Sequence, residues 1–325
     1  AEENNIKYYS KDMGILILMY HRFDENKYPS TNIQMDIFKN QIKIIKNLNY
    51  NFFNPSDLKK NFNIPKKEKK ILITIDDAFS SFYESAWPFL KNNKIPFILF
   101  VSTEAVGKNG YMSWEQIREI EKSSNGHIGN HSHSHDYLVN FNKENFIKDI
   151  RTANKIFINE LGYNPIFFSY PFGEYSNYIK KFISKNFKFA FGQHSGVTDI
   201  NKDPYELPRF PINEKYGNLE RFKFLVNLNP LEYKNLLPNE KFITIKNNPP
   251  LLTVEFFDNQ KNLKNISCFS DEGNEWKKSN LNFKENKLIV RFREKFTFRR
   301  GRVNCSLNDD GKWRWFGLQF SIQQN

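Results

Sequence analysis

From residue 14 to about 195 the chain repeats one arrangement: a short run that is apolar throughout, then a longer segment with apolar residues at helical spacing. The runs Ile15–Tyr20, Ile71–Ile75, Phe97–Ser102, His127–Asn130, Phe167–Tyr170 and Phe187–Phe191 read as strands covered on both faces. Between them, Phe38, Ile42, Ile45 and Leu48 form one helical stripe, and Phe146, Ile150, Ala153 and Phe157 form another. Ser113 with Gln116 gives the S-x-x-Q spacing of a capping box, which predicts a helix running through Glu121. Strand and helix alternating in this way predict an α/β fold on a parallel sheet, open or closed into a barrel. After about residue 228 the pattern changes. Pro230, Pro238, Pro249 and Pro250 punctuate the chain, and the short runs Leu251–Phe257, Leu263–Phe269, Lys287–Phe292 and Arg314–Ser321 predict a small all-β, sandwich-like domain. The expected division is 1–228 and 229–325, with the join near residues 227–240.

Composition sharpens this picture in three respects. The 325 residues suffice for one large and one small domain, and 33 Phe supply bulky apolar side chains to the cores. A formal charge of +12 accompanies abundant Lys, Asn, Ile and Phe and reads as a general residue bias; no basic run with interleaved aromatics points to nucleic acid. An acidic envelope polymer remains compatible with the charge. No apolar stretch is long enough to span a bilayer, and no signal peptide is visible in a chain that begins at Ala1, which fits an exported protein or a trimmed one. Cys268 and Cys305 suit a disulfide in an exported protein or two buried thiols.

In parallel α/β folds the chemistry collects at the carboxyl ends of strands, where the loops converge. His21 follows "ILILMY", Asp76 and Asp77 end "ILITI", His131 and His135 follow "HIGN", "SYPFGEY" ends the next strand, and Gln193 and His194 follow "FKFAF". Adjacent carboxylates repel unless a cation or proton intervenes, so Asp76-Asp77 predicts positive charge beside it. His131 and His135, four apart, reach one ion if the segment coils through a helical turn, with His133 facing elsewhere. With a carboxylate from another strand they make a two-His-one-carboxylate site with open positions, suited to Zn²⁺ or another divalent first-row metal. His127 and His133 read as members of a polar turn.

"TIDDAFSS", "NHSHSH" and "SYPFGEY" together resemble the signature motifs of the polysaccharide deacetylases of carbohydrate esterase family 4. "LMYHRF" near the start, then "FKNQIKIIKNLNY" and the aspartate pair, resembles the circularly permuted branch that includes poly-β-1,6-N-acetylglucosamine deacetylases. The resemblance covers roughly residues 14–225. It implies a distorted (β/α) barrel of about seven strands, a divalent cofactor with Zn²⁺ expected, and an acetylated polysaccharide as substrate, met outside the cytoplasm in the periplasm, at the cell surface or as a secreted enzyme. It implies Asp77, His131 and His135 as metal ligands, Asp76 as catalytic base, His21 as general acid with His194 as its competitor, and the Phe172 backbone N–H as oxyanion donor. Two positions depart from the family pattern: Ala78 stands where a glycine usually follows the aspartates, a small change if no positive φ is needed there, and Ser169 replaces an arginine, for which Arg209 is the candidate substitute.

Specificity is less legible. Trp114, Tyr111 and Tyr170 are each open to sugar stacking or to packing. Trp313 and Trp315, two apart, share one strand face that is either a glycan platform or the core of the small sandwich. Beside the N-deacetylase stand two other readings, a polysaccharide O-acetyl esterase on the same fold and a non-catalytic glycan-binding protein.

Overall fold

The computed structural model describes residues 14–59 and 69–325. Seven parallel strands form the main sheet: β1 (Ile15–Tyr20), β2 (Lys70–Asp76), β3 (Phe97–Val101), β4 (Gly126–Asn130), β5 (Phe167–Ser169), β6 (Phe189–Phe191) and β7 (Phe210–Pro211). Their order is β7-β1-β2-β3-β4-β5-β6, with a short eighth strand, Asn51–Phe52, beside β2. All these pairings are parallel, and the sheet curls as a half-barrel. Every predicted strand is present, some shortened by one or two residues.

Among the described residues six helices accompany the sheet: α1 (Met35–Asn47), α2 (Trp87–Asn92), α3 (Trp114–Lys122), α4 (Lys143–Leu161), α5 (Asn177–Asn186) and α6 (Leu219–Val226). The α1 stripe packs Phe38, Ile42 and Ile45 against Leu16, Leu18, Ile71 and Ile73 on one sheet face. The alternate residues Ile15, Ile17, Leu72, Ile98 and Phe100 pack on the other face with Phe191 and Leu207. Strands buried on both sides explain why these runs carry almost no polar residue. The predicted capping box opens α3: Ser113 and Gln116 exchange side-chain-to-backbone hydrogen bonds of 3.2 and 3.0 Å. Gly129 is required where β4 crosses β3, since a Cβ there would lie 2.4 Å from the Phe100 ring. No helix among the described residues is long and apolar enough to cross a membrane.

Beyond residue 228 two further sheets face each other. One runs β8 (Tyr233–Leu237), β9 (Leu252–Phe256), β12 (Lys287–Arg291), β11 (Asn280–Lys284); the other is built on β10 (Ser267–Ser270), β13 (Arg300–Asp309) and β14 (Lys312–Ile322). Leu252, Val254, Leu288 and Val290 from the first meet Val303, Leu318 and Phe320 from the second in one apolar cluster, which makes the pair a sandwich. One strand prediction in this part is corrected. The run expected from Leu263 begins at Ser267, because Leu263–Asn265 forms a 3₁₀ turn after left-handed Asn262 (φ 61°). The ten-residue β13 escapes an apolar-run search because alternate residues (Arg302, Asn304, Ser306) are polar and face away from the sandwich core.

Cys268 and Cys305 sit opposite one another on β10 and β13 and are joined as a disulfide. The loop it closes spans 37 positions, for which chain-entropy arguments give about 4 kcal/mol. Replacing both cysteines by alanine is expected to lower unfolding free energy by about 2–4 kcal/mol, read from urea denaturation with and without reductant; an unchanged midpoint under oxidising conditions contradicts the cross-link.

Candidate active site

The carboxyl ends of β1, β2, β4 and β5 bring the predicted polar residues to one rim. Asp76 is the last residue of β2 and is fully buried. Its two oxygens accept from Arg209 Nη1 at 2.7 Å and Nη2 at 2.9 Å, a bidentate pair with both partners at 0% exposure. Arg209 is held in turn: Nε donates to the Gly192 carbonyl at 2.8 Å, Nη1 to Thr74 Oγ1 at 3.1 Å and Nη2 to Ser169 Oγ at 2.8 Å. The serine that replaces the expected arginine therefore accepts a hydrogen bond from an arginine delivered just before β7. Burial alone would raise the Asp76 carboxyl pKa, but the Arg209 guanidinium and the neighbouring histidines outweigh it, so the pKa lies below the ordinary value.

Asp77, the next residue, joins a cluster with His131 and His135 whose ligand atoms all lie within 4.8 Å of one another. Asp77 Oδ1 is 3.3 Å from His131 Nε2 and 3.0 Å from His135 Nε2. Asp77 Oδ1 and His131 Nε2 are buried without a hydrogen-bond partner of acceptable geometry, which is the signature of atoms arranged for a cation. His131 Nδ1 lies 2.7 Å from the Ser169 carbonyl; a carbonyl only accepts, so Nδ1 carries a proton and Nε2 is the ring nitrogen turned toward Asp77. Burial would raise the Asp77 carboxyl pKa, yet the two imidazoles hold it well below its usual value.

The loop that carries the histidines is not a helical turn, contrary to the spacing argument. Ser132 (φ 68°) and His135 (φ 53°) are left-handed, and side chains fix the bend: Asn130 Oδ1 accepts from Ser132 N, Asp149 from His133 N and Ser134 N, and Ser132 Oγ from His135 N. Asp149, on α4, is a shaping residue that no sequence motif announced. His133 faces away, with Nδ1 2.8 Å from Thr103 Oγ1. Ala78 is corrected as well: it does adopt positive φ (53°), so a side chain stands where glycine would be unstrained, at a cost of roughly 1–2 kcal/mol.

His21 follows β1 and places Nε2 3.9 Å from Asp76 Oδ2. Burial pushes its pKa down, against the opposing pull of Asp77 and Asp76. His194 contributes its carbonyl to Arg209 N at 2.8 Å, while its ring packs on Gly192 and burial pushes its pKa down to about 3. Among the described residues no ion pair joins the His194 ring to either aspartate. Phe172 sits at φ 60°, its ring stacked on Tyr137 at 4.4 Å and edge-on to His135 at 4.9 Å. Tyr170 is removed from the set of sugar-stacking candidates: it is 0% exposed, packs on Phe168 and Tyr175, and donates its hydroxyl to the Tyr205 carbonyl. Trp114 packs edge-on to Phe157 and Tyr111 lies against Phe79. Trp313 and Trp315 do share a face, but it is neither the sandwich core nor a free platform: they meet Phe224 of α6 and Phe210 of β7, across the seam between the sandwich and the main sheet.

Residues 63–189 match the family model described as polysaccharide deacetylase. The chain is 25% identical over 235 residues to a poly-β-1,6-N-acetyl-D-glucosamine N-deacetylase of Staphylococcus aureus, covering 63% of this chain and 80% of that one. Its fold is similar to the structure of IcaB from Ammonifex degensii (TM-score 0.60, 24% identity, 66% of this chain and 97% of that one). It is similar also to Streptococcus pyogenes deacetylase PplD in complex with acetate (TM-score 0.60, 22% identity, 66% and 99%). Asp76, Asp77, His131 and His135 lie within the matched segment and His21, His194 and Arg209 outside it, so the likeness to the polysaccharide deacetylase family is carried by residues 63–189.

Proposed function

We propose that this protein is a metal-dependent hydrolase that removes acetyl groups, N-acetyl in preference to O-acetyl, from a cell-envelope or matrix polysaccharide. The observation that carries the reading is the gathering of Asp77, His131 and His135 around one point, beside a second buried carboxylate that Arg209 keeps ionised. The named relatives support the substrate class. Two imidazoles and one carboxylate suit Zn²⁺, and the donor set leaves positions open for water and substrate. A cation held there supplies Lewis acidity, easing deprotonation of water and neutralising charge that builds on the acetyl oxygen.

The protein's own groups supply the rest. Asp76, ionised and unable to turn because both its oxygens are held, accepts the proton of water as its oxygen bonds to the acetyl carbonyl carbon. The negative charge that develops on the carbonyl oxygen is met by the Phe172 N–H, whose left-handed residue belongs to the loop after β5. His21 gives a proton to the sugar nitrogen as the C–N bond breaks, so acetate and a free amine leave. His21 begins the domain and not its end, consistent with a permuted order of motifs. The disulfide in the sandwich favours an exported protein.

Purified protein is expected to release acetate from N-acetylglucosamine polymers, to stop on chelation and to recover with Zn²⁺; release from O-acetylated xylan alone sinks the N-acetyl preference. Asp76→Asn should retain metal and lose about 10²–10⁴-fold in kcat, whereas His131→Ala should lose metal and activity together, checked by metal analysis beside acetate assays. Arg209→Met strands a buried carboxylate and should cost about 3–5 kcal/mol in urea unfolding; a loss below 1 kcal/mol would show that the pair is not what keeps Asp76 charged.

A further inference from the structure

A cavity of about 470 Å³ opens between the loops after β6 and β7 and the outward face of β10, β13 and β14. Gln193 stands in its wall and also packs against Gly173, next to Phe172, so the cavity begins beside the catalytic rim. Phe269, Tyr216, Trp276 and Trp315 line it with aromatic rings, and so do three cations, Lys215, Arg221 and Arg302. No carboxylate lines it among the described residues. Arg302 is neutralised by Asp271 at 2.8 Å and lies 5.3 Å from the centre of the Trp276 ring; Arg221 lies 5.0 Å from that of Tyr216. Aromatic faces match the C–H face of a pyranose, and the cations donate to hydroxyl and acetamido oxygens while repelling an ammonium group.

Resting on the hydrolase reading, we propose that this cavity is a subsite for a second sugar of the same polymer, one that still carries its acetyl group, and that it rejects the protonated amino sugar the reaction makes. Deacetylation would then slow next to sugars already processed and leave a partly acetylated product. The test is binding by calorimetry of an acetylated N-acetylglucosamine hexamer, the fully deacetylated hexamer and a hexauronate of equal length. Wild type should bind the acetylated hexamer at least tenfold more tightly than the deacetylated one. Trp276→Ala, at a 37% exposed position, should weaken the acetylated hexamer about tenfold, and Lys215→Glu should narrow the discrimination. Equal binding of both hexamers, preference for the hexauronate, or no effect of either variant in folded protein overturns the subsite. Absence of acetate release by wild type with binding intact would instead overturn the hydrolase reading.

A separate set of contacts gives the sandwich a second task. Gln319 on β14 donates Nε2–H to the Phe172 carbonyl at 2.9 Å, and Arg299, just before β13, pairs with buried Glu174 at 2.9 Å. The Arg299 guanidinium also lies 3.7 Å over Tyr137, which stacks on Phe172, which in turn meets His135. Left-handed φ is unfavourable for phenylalanine, so something outside the loop must hold it. We infer that Gln319 is a positioning residue that, by holding the Phe172 carbonyl, fixes the left-handed backbone of the residue whose own N–H meets the oxyanion in the same reaction. Gln319→Leu should lower kcat about tenfold or more while KM stays within twofold and metal content is unchanged; Gln319→Glu, equal in shape but unable to donate when ionised, should behave alike. An unchanged kcat in a wild-type-active preparation overturns the inference, as does a parallel loss of kcat, metal and melting temperature, which marks a purely structural contact.

Discussion

The buried ion pair of Asp76 and Arg209 is the constraint from which the site follows. A carboxylate at the end of a covered strand, beside a second carboxylate, would take up a proton unless a cation met it without water between them. Arg209 does so with both forks of its guanidinium, and Gly192, Thr74 and Ser169 occupy its remaining donors. Because those acceptors come from β2, β5 and the end of β6, one side chain ties together strands that are not all neighbours. The interaction is as much a clamp on the curl of the sheet as a charge beside a base.

The pair also divides labour between adjacent residues. With Asp76 saturated by Arg209, Asp77 is the carboxylate free to turn toward His131 and His135. Asp77 lies just past the strand with φ 78°, and this turn brings its carboxylate to His131 Nε2 at 3.3 Å, where Asp76 stands 3.9 Å away. The backbone bears the cost in left-handed Asp77 and Ala78, and again in Ser132, His135 and Phe172. Such conformations gather at sites where neighbouring structure over-determines them. Here Asn130, Ser132 and Asp149 act on the histidine loop.

The sandwich is joined to this rim by specific contacts. Trp315 donates Nε1–H to Ser195 Oγ at 2.9 Å, Ser195 donates to Asn304 at 2.7 Å, and the tryptophan pair packs on α6 and β7. The polar alternation of β13 has its reason here: Val303, Cys305 and Leu307 fill the sandwich, while Arg302, Asn304 and Ser306 face the cavity wall.

For the first six strands of the main sheet the sequence by itself determined that they exist, to within one or two residues, and which charged or imidazole groups stand near their ends, because apolar periodicity and a covered strand leave little freedom in local structure. Asp76, Asp77, His21, His131 and His135 were legible for that reason. It did not determine the shape of the histidine loop, where a spacing of four suggested a helical turn and Asp149, distant in register, imposed a bend. Nor did it show that Ala78 takes positive φ, that Tyr170 is sealed in the core, or that the tryptophan pair belongs to a seam. Arg209 was visible only as a candidate, since its partners Asp76 and Thr74 lie more than a hundred residues away along the chain. Gln319 and Arg299 gave no signal at all, and Glu174 was visible only as a member of "SYPFGEY". Which side chains meet across a curled sheet, or between it and a second layer, depends on strand order and packing, and those are properties of the folded whole.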